Sequence, residues 1–265
     1  TWSDDCFCTV KEPVVDSGFC GDNLTWTLEE NGTLTISGTG RMDDYRNEYN
    51  RPWSRNDILS QIKYVIIEDG VTSIGKYAFY GCKALGNVMI PDGVTSIGDY
   101  AFYGCETLTR VTIPNSVTSI GHHVFGESGL TSVNIPNSVI DIGHCAFEFC
   151  EDLRSVTIPN SVTAIADSMF WCCTSLTRIT IPGSVTSIGD EAFYSCNALT
   201  SVTITESVTW IAEGAFNGAS TSINVAAENR NYCSEDGVLY DKGKTTLVYV
   251  GNLTKESFTI PSSVT

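Results

Sequence analysis

Hydrophobic positions recur along most of this chain in one fixed frame. From residue 64 onward the pattern L-x-x-V-x-I-P-x-x-V-x-x-I-G-x-x-A-F-x-x-C returns every 22 or 23 residues. The seven units run over 64–86, 87–109, 110–131, 132–154, 155–177, 178–200 and 201–222. A fixed period of this length indicates stacked repeats that share one continuous core.

Each part of the unit predicts a local structure. The alternating, β-branched L-x-x-V-x-I stretch predicts a short strand with Val and Ile facing inward, and the Pro ends that strand. V-x-x-I predicts a second extended stretch, Gly a change of direction, and A-F-x-x-C a single helical turn that buries Phe and Cys. One unit buries too little apolar surface to offset the entropy of ordering its backbone. The units must therefore stack.

These patterns predict a repeat solenoid with three parts. We expect a β-rich, leucine-rich-repeat-like, right-handed superhelix with a parallel sheet on its concave face and short strands or helical turns on its convex side. Residues 1–63 are predicted to form an N-terminal segment with a β-hairpin cap, and 64–222 the seven repeats. Residues 223–265 are predicted to form an irregular β-hairpin insert and the start of a truncated repeat.

The signature IPxxVxxIGxxAFxxC resembles the BspA-like leucine-rich repeats of surface proteins from gut and oral bacteria and some parasitic protists. The resemblance covers residues 64–222 continuously. It implies a secreted or surface-attached protein that binds proteins, other cells or glycans. It brings no catalytic residues with it.

Both flanking regions carry hairpin signals. Two alternating runs, Leu24 to Leu28 and Thr33 to Ser37, are joined by a turn at Glu29–Gly32. This hairpin, with Trp26 and Trp53, is expected to cover the first coil, although the two indoles could instead be ligand platforms. A second hairpin is predicted with its turn at Asp241 to Lys244. Residues 258–265 restart the repeat and stop, so we expect either a longer natural chain or another cover for that end.

Charge narrows the range of partners. The chain has 31 acidic and 15 basic residues, a formal net charge of -16. Nucleic acid and anionic membrane would be repelled over most of such a surface. No apolar run is long enough to span a bilayer. The chain begins at Thr1 without a basic, apolar leader, as expected either of a mature secreted protein or of a trimmed chain.

Five cysteines share one repeat position, where they are expected to form a ladder of buried thiols. They are Cys82, Cys105, Cys150, Cys173 and Cys196. Metal binding would need several of them to converge, whereas a ladder places them in a line.

The outward positions of the predicted strands form the first candidate binding surface. In repeat solenoids such a sheet is a common docking surface, and its least ordinary residues here are Tyr64, Ile66, Met89, Arg110 and Arg178. The rest of that face is mostly Ser and Thr, which a plain soluble surface would also carry.

An aromatic column is the alternative surface. It consists of residues at or beside the position after the buried Phe: Tyr80, Tyr103, Phe149, Trp171 and Tyr194. Exposed aromatic rings in a row stack on sugars or anchor a protein partner. They can also simply cover one another across coils.

Two histidines occupy one column on neighbouring coils. Stacking would bring His122 and His144 to about 5 Å at the backbone, close enough to bind zinc with Asp99 or Asp167. These are variable polar positions, so we favour a solvated face and expect no metal and no cofactor.

No catalytic motif is present among G-x-S-x-G, phosphate-loop, H-E-x-x-H and calcium-loop patterns. We therefore predict a non-enzymatic, extracellular or cell-surface, adhesin-like protein that binds a protein or glycan on host or neighbouring cells. Two alternatives stay open: a glycan-binding surface module, and a structural spacer that displays another domain.

Overall fold

The computed structural model describes residues 12–251 and 259–265 of the chain. In this part each repeat forms one coil, and the coils stack so that equivalent strands pair in parallel. A solenoid of the leucine-rich-repeat type is therefore confirmed.

The N-terminal part forms strands that lead directly into the repeats. Its elements are β1 (Val14–Gly21), β2 (Leu24–Glu29), β3 (Thr33–Gly38), β4 (Gly40–Arg41) and α1 (Asn56–Leu59). The predicted hairpin is confirmed as β2 and β3, which pair antiparallel. β1 was not predicted, and it adds antiparallel to β2. Since β3 and β4 pair in parallel with the first two strands of the repeats, the cap has the layout of an additional coil.

The L-x-x-V-x-I stretches form the first strand column. Numbered in chain order with the second column, these strands are β5 (Tyr64–Ile67), β7 (Asn87–Met89), β10 (Ser132–Asn134), β12 (Ser155–Thr157), β14 (Arg178–Ile179), β16 (Ser201–Ile204) and β18 (Ser222–Val225). Val and Ile face inward as predicted, for example Val65 and Ile67, while the residues that alternate with them in the strand face outward. Residues 110–113 have no strand assignment, so the column divides between β7 and β10, and it divides again between β14 and β16.

The V-x-x-I stretches form the second strand column. Its members are β6 (Val71–Ile74), β8 (Ser96–Ile97), β9 (Ser119–Ile120), β11 (Asp141–Ile142), β13 (Ala164–Ile165), β15 (Ser187–Ile188) and β17 (Trp210–Ile211). They pair in parallel in two groups, one from β4 to β11 and one from β13 to β17. Each coil thus contributes up to two short strands to the wall of the solenoid.

The third side of each coil is a series of turns. We predicted a helical turn at A-F-x-x-C, but α1 is the single α-helix among the described residues. In six of the seven coils two residues on this side adopt positive φ, for example His123 (55°) and Glu127 (53°), and left-handed residues interrupt a right-handed helix. Backbone bonds instead connect neighbouring coils, as from the Phe102 N–H to the Val124 carbonyl at 2.9 Å.

A row of stacked rings runs through the core. Seven phenylalanines, one per coil, lie 5.3–5.7 Å apart between ring centroids: Phe79, Phe102, Phe125, Phe147, Phe170, Phe193 and Phe216. Trp53 stacks on the first at 5.8 Å, and Tyr249 covers the last at 5.4 Å. Both predicted cap tryptophans are buried, with Trp26 3% and Trp53 0% exposed.

The repeated glycine after V-x-x-I has a different role from the predicted one. Gly98 and Gly121 do not have positive φ, so neither needs the left-handed freedom of glycine. A Cβ on Gly98 would lie 2.7 Å from the backbone nitrogen of Lys76, and a Cβ on Gly121 would lie 2.6 Å from the backbone nitrogen of Asp99. The glycine therefore allows neighbouring coils to approach closely.

The C-terminal part forms an antiparallel sheet of β19 (Tyr232–Glu235), β20 (Val238–Asp241) and β21 (Leu247–Val250). The predicted hairpin is confirmed as β20 and β21. Tyr249 lies on β21, and its hydroxyl donates to the Ala219 carbonyl at 2.6 Å. This hairpin thus holds the ring that ends the phenylalanine row.

Candidate binding surfaces

The outward face of the first sheet exposes apolar side chains beside the cap. Tyr64 is 50% and Met89 59% exposed, while Ile66 is half-buried. The parallel register pairs Ile66 with Met89 and Tyr64 with Asn87, so these side chains lie next to one another on one face. The structure therefore brings together the three apolar residues predicted for this surface.

Phe19 lies on the same face of this sheet, three strand spacings from Tyr64, and sequence reasoning missed it. It lies on β1 opposite Thr25, and it is 76% exposed while its neighbour Cys20 is buried. The strand pairings through β3 place Thr25 and Tyr64 on one face of the sheet, so Phe19 faces the same way as Tyr64. The apolar residues at the end of β1 in the sequence were the signal that could have identified Phe19. We call Phe19, Tyr64, Ile66 and Met89 the apolar sheet face.

The two arginines of the predicted surface lie apart from each other. Arg110 is exposed at the break in the first column, one coil beyond β7, and Arg178 is exposed on β14. Three coil spacings separate them, about 14 Å. Within the described residues neither forms an ion pair. Arg110 is thus near the apolar sheet face, and Arg178 is not.

The predicted aromatic column forms two separate groups. Tyr80 stacks on Tyr103 with centroids 5.1 Å apart and planes 6° apart. Trp171 contacts Phe149 at 4.9 Å and Tyr194 at 6.2 Å. All five are half-buried. The rings largely cover one another, which leaves their edges for a ligand.

The histidine column supports the backbone of neighbouring coils. Asp99 Oδ1 accepts the His122 N–H at 2.9 Å, and His122 Nδ1 accepts the His144 N–H at 2.9 Å. The two imidazoles stack in parallel at 5.2 Å between centroids. The nitrogen lone pairs of two parallel imidazoles lie in parallel planes and do not converge on one metal position. The lone pair of His122 Nδ1 also already accepts a hydrogen bond. This geometry gives no common metal position between His122 and His144.

An exposed groove on the second column is a further feature. It has a volume of about 340 Å³ and is lined in part by Ile140, Trp210, His144 and Asp167. Ile140 is 66% and Trp210 53% exposed. Ile140 replaces the Thr and Trp210 the Ser found at these positions in most other repeats. This departure from the repeat pattern was the sequence signal for the groove.

The cysteine ladder is confirmed as a buried structural element. All five thiols are fully buried, and four of them donate to carbonyls of the preceding coil, as Cys173 Sγ does to Phe147 O at 3.1 Å. Burial raises the pKa of the Cys82, Cys150 and Cys196 thiols to about 12. These thiols are therefore protonated at neutral pH and are poor nucleophiles.

Off the ladder, Cys145 is half-buried. Its own burial, followed by the nearby Glu148 carboxylate, raises the pKa of this thiol to about 12 as well. Cys145 is thus also not an activated nucleophile.

The fold and its repeated signature define a leucine-rich-repeat solenoid. The model of the BspA type leucine-rich repeat region matches in six copies, over residues 58–130 and 118–232. This match covers more than half of the chain, so the protein belongs to the BspA-type leucine-rich repeat family. Its repeat scaffold is of a kind that is generally non-enzymatic.

Several solved structures are similar. A leucine-rich repeat protein of T. pallidum is 25% identical with a TM-score of 0.55, covering 71% of this chain and 91% of that one. The pneumococcal vaccine antigen PcpA is 19% identical with a TM-score of 0.51, over 95% of this chain and 60% of that one.

A leucine-rich repeat protein of Eubacterium ventriosum is 27% identical with a TM-score of 0.41, over 94% of this chain. This chain spans 54% of the length of that protein. No protein with a curated description matches. Among the described residues, no helix has the length and apolar character needed to cross a membrane.

Proposed function

We propose that this protein is a non-enzymatic binding protein of the cell surface or extracellular space that engages a protein partner through the apolar sheet face. The observation that carries the proposal is the exposure of Phe19, Tyr64 and Met89 on one continuous sheet. Elsewhere the same outward positions are mostly Ser, Thr or Asn. Aromatic residues and Met are enriched at protein interfaces, where a few such side chains supply most of the binding energy.

Three further observations support this role. The strands that present the face are tied into the cap and the first coils, so the face is rigid before binding, which lowers the entropic cost of association. The net charge of -16 favours a partner whose contact surface is neutral or basic. Membership of a family that is typically found at the cell surface supports the location.

The test replaces two exposed residues by those that other repeats carry. Tyr64→Ser with Met89→Thr removes the apolar side chains, and Ser132 and Thr112 occupy the equivalent positions in other coils. The matched control is Val250→Thr, which removes an exposed apolar residue from β21, outside both candidate binding surfaces.

Both variants and the unchanged protein are measured by biolayer interferometry against immobilised extracellular-matrix proteins. We expect a partner whose affinity falls at least about tenfold for the double variant, since interface anchors contribute more than 1 kcal/mol each, and stays unchanged for the control. An unchanged affinity of the double variant would refute the role of this face.

A glycan-binding role is the second candidate, and Trp210 is the observation that favours it. An exposed indole in a groove with His144 and Asp167 offers a flat ring for a sugar and polar groups for its hydroxyls. A glycan array with Trp210→Ser as the variant tests this role. Binding lost in that variant alone would favour the glycan, and no binding in either assay would favour a structural spacer.

A further inference from the structure

One group of metal-ligating side chains lies on the third side of the solenoid. His123 belongs to the coil 110–131, and Cys145 and Glu148 to the next coil. The turns place one ligand atom from each residue within 4.8 Å of the others. This group lies one column away from His122 and His144, the pair considered for zinc on sequence grounds.

The group is nearly the right size for one ion. Zinc bonds of 2.0–2.3 Å in a tetrahedron separate the ligand atoms by about 3.3–3.5 Å. The widest separation between ligand atoms must therefore close by about 1–1.5 Å. The His123 Nδ1 and the Glu148 carboxylate are hydrogen-bonded to each other, so a bound ion would replace that hydrogen bond and move these two atoms apart to the same spacing.

The backbone beneath the ligands is fixed by hydrogen bonds between coils. The His123 N–H donates to the His144 carbonyl at 3.0 Å, and the Cys145 N–H to the Asp167 carbonyl at 3.1 Å. Within the coil, the Glu148 N–H donates to the Cys145 carbonyl at 3.1 Å. Ligands held on a rigid backbone need little ordering when an ion binds.

Packing also fixes the side chains. Tyr100 stacks on the His123 ring at 4.4 Å with planes 7° apart. Gly126 leaves room beside Glu148, because a Cβ there would lie 3.1 Å from the Glu148 Cγ. Glu148 takes the position that Tyr80 and Tyr103 hold in earlier coils, so a carboxylate replaces an aromatic ring at this point in the column.

Burial and charge favour a cation in this place. The Glu148 side chain is 7% exposed, and within the described residues its carboxylate contacts the His123 Nδ1. A buried carboxylate is costly unless a positive charge or hydrogen bonds compensate it. The acidic surface of the protein would further concentrate cations around the site.

We propose that His123, Cys145 and Glu148 form a binding site for one divalent transition-metal ion of the zinc type. Imidazole nitrogen and thiolate sulfur select zinc or cobalt over calcium and magnesium, which prefer oxygen ligands. Three protein ligands leave the fourth position for water or for a group of a partner.

The test uses Co²⁺ as the probe on the reduced, metal-stripped protein. We expect one Co²⁺ per chain and a thiolate-to-cobalt charge-transfer band in the near ultraviolet, which Zn²⁺ removes by displacement. Cys145→Ser should abolish the band and lower the Zn²⁺ affinity at least about 100-fold, because loss of even an outer-shell partner costs about 10- to 100-fold.

Cys172→Ser is the matched control. Cys172 is also half-buried, and its φ of 57° equals that of Cys145. The control should retain the band and the affinity. Glu148→Gln is measured alongside, so that the site is tested even where one variant folds poorly, and it should weaken binding while retaining the charge-transfer band.

Three results would overturn the proposal. They are no Co²⁺ binding by the unchanged protein, a band that persists in Cys145→Ser, and an equal loss in Cys172→Ser. The first of these would leave His123 and Glu148 as a hydrogen-bonded pair only.

Discussion

Truncation of one ring in the phenylalanine row tests how strongly the coils depend on one another. Phe147 is 0% exposed and stacks on Phe125 at 5.6 Å and on Phe170 at 5.7 Å. Phe147→Ala removes contacts with both neighbouring coils. Its backbone N–H bond to Met169 is retained, so the loss reports the ring itself.

The expected loss in the free energy of unfolding is about 4 kcal/mol. Buried Phe→Ala substitutions cost about 3–5 kcal/mol, and two aromatic contacts place this site in the upper part of that range. Urea denaturation followed by far-ultraviolet circular dichroism measures the loss. As the control, Met89→Thr on the exposed face should change stability by less than about 0.5 kcal/mol. A loss below about 1.5 kcal/mol for Phe147→Ala would refute the view that the row couples the coils.

Two more substitutions test local features. Gly126→Ala should destabilise the protein by about 1–3 kcal/mol, since its Cβ would lie 2.7 Å from the Tyr103 ring, whereas Gly183→Ala, with open space around it, should be nearly neutral in the same urea assay. Burial raises the pKa of Asp99, but the Lys76 ammonium and a backbone N–H outweigh it and hold that pKa below 3.8. The contribution of Asp99 is therefore present above that value and lost as the pH falls through the folded-state pKa. Asp99→Asn should lower stability at neutral pH and reduce the further loss on acidification, and thermal unfolding at a series of pH values shows whether it does.

Most of the fold could be predicted from the repeat period. Alternating Val and Ile predicted the strands, and the fixed positions of Phe and Cys predicted two continuous core rows. Turn residues predicted both hairpins. These features depend on which positions of each repeat are buried, and the repeated hydrophobic pattern of the sequence shows those positions directly.

The third side of the coils was beyond such reasoning. Its left-handed residues include Tyr77, His123, Cys145 and Ser168, and nothing in these residue types marks a positive φ. The contact of His123 with Glu148 depends on those turns, because it joins residues 25 apart across two coils. Phe19 was missed for a related reason: its strand pairs with β2 outside the repeats, where no period guides prediction.

The central claim is that the coils stack into one continuous core, and thiol alkylation in the native state tests it most directly. The protein is treated with iodoacetamide without denaturant, and the modified cysteines are mapped by mass spectrometry. Among the described residues, the half-buried Cys172 and Cys233 should be modified first. The five buried ladder cysteines should react only after denaturant is added. Modification of the ladder in the native protein, at the rate of the half-buried thiols, would contradict the stacked core.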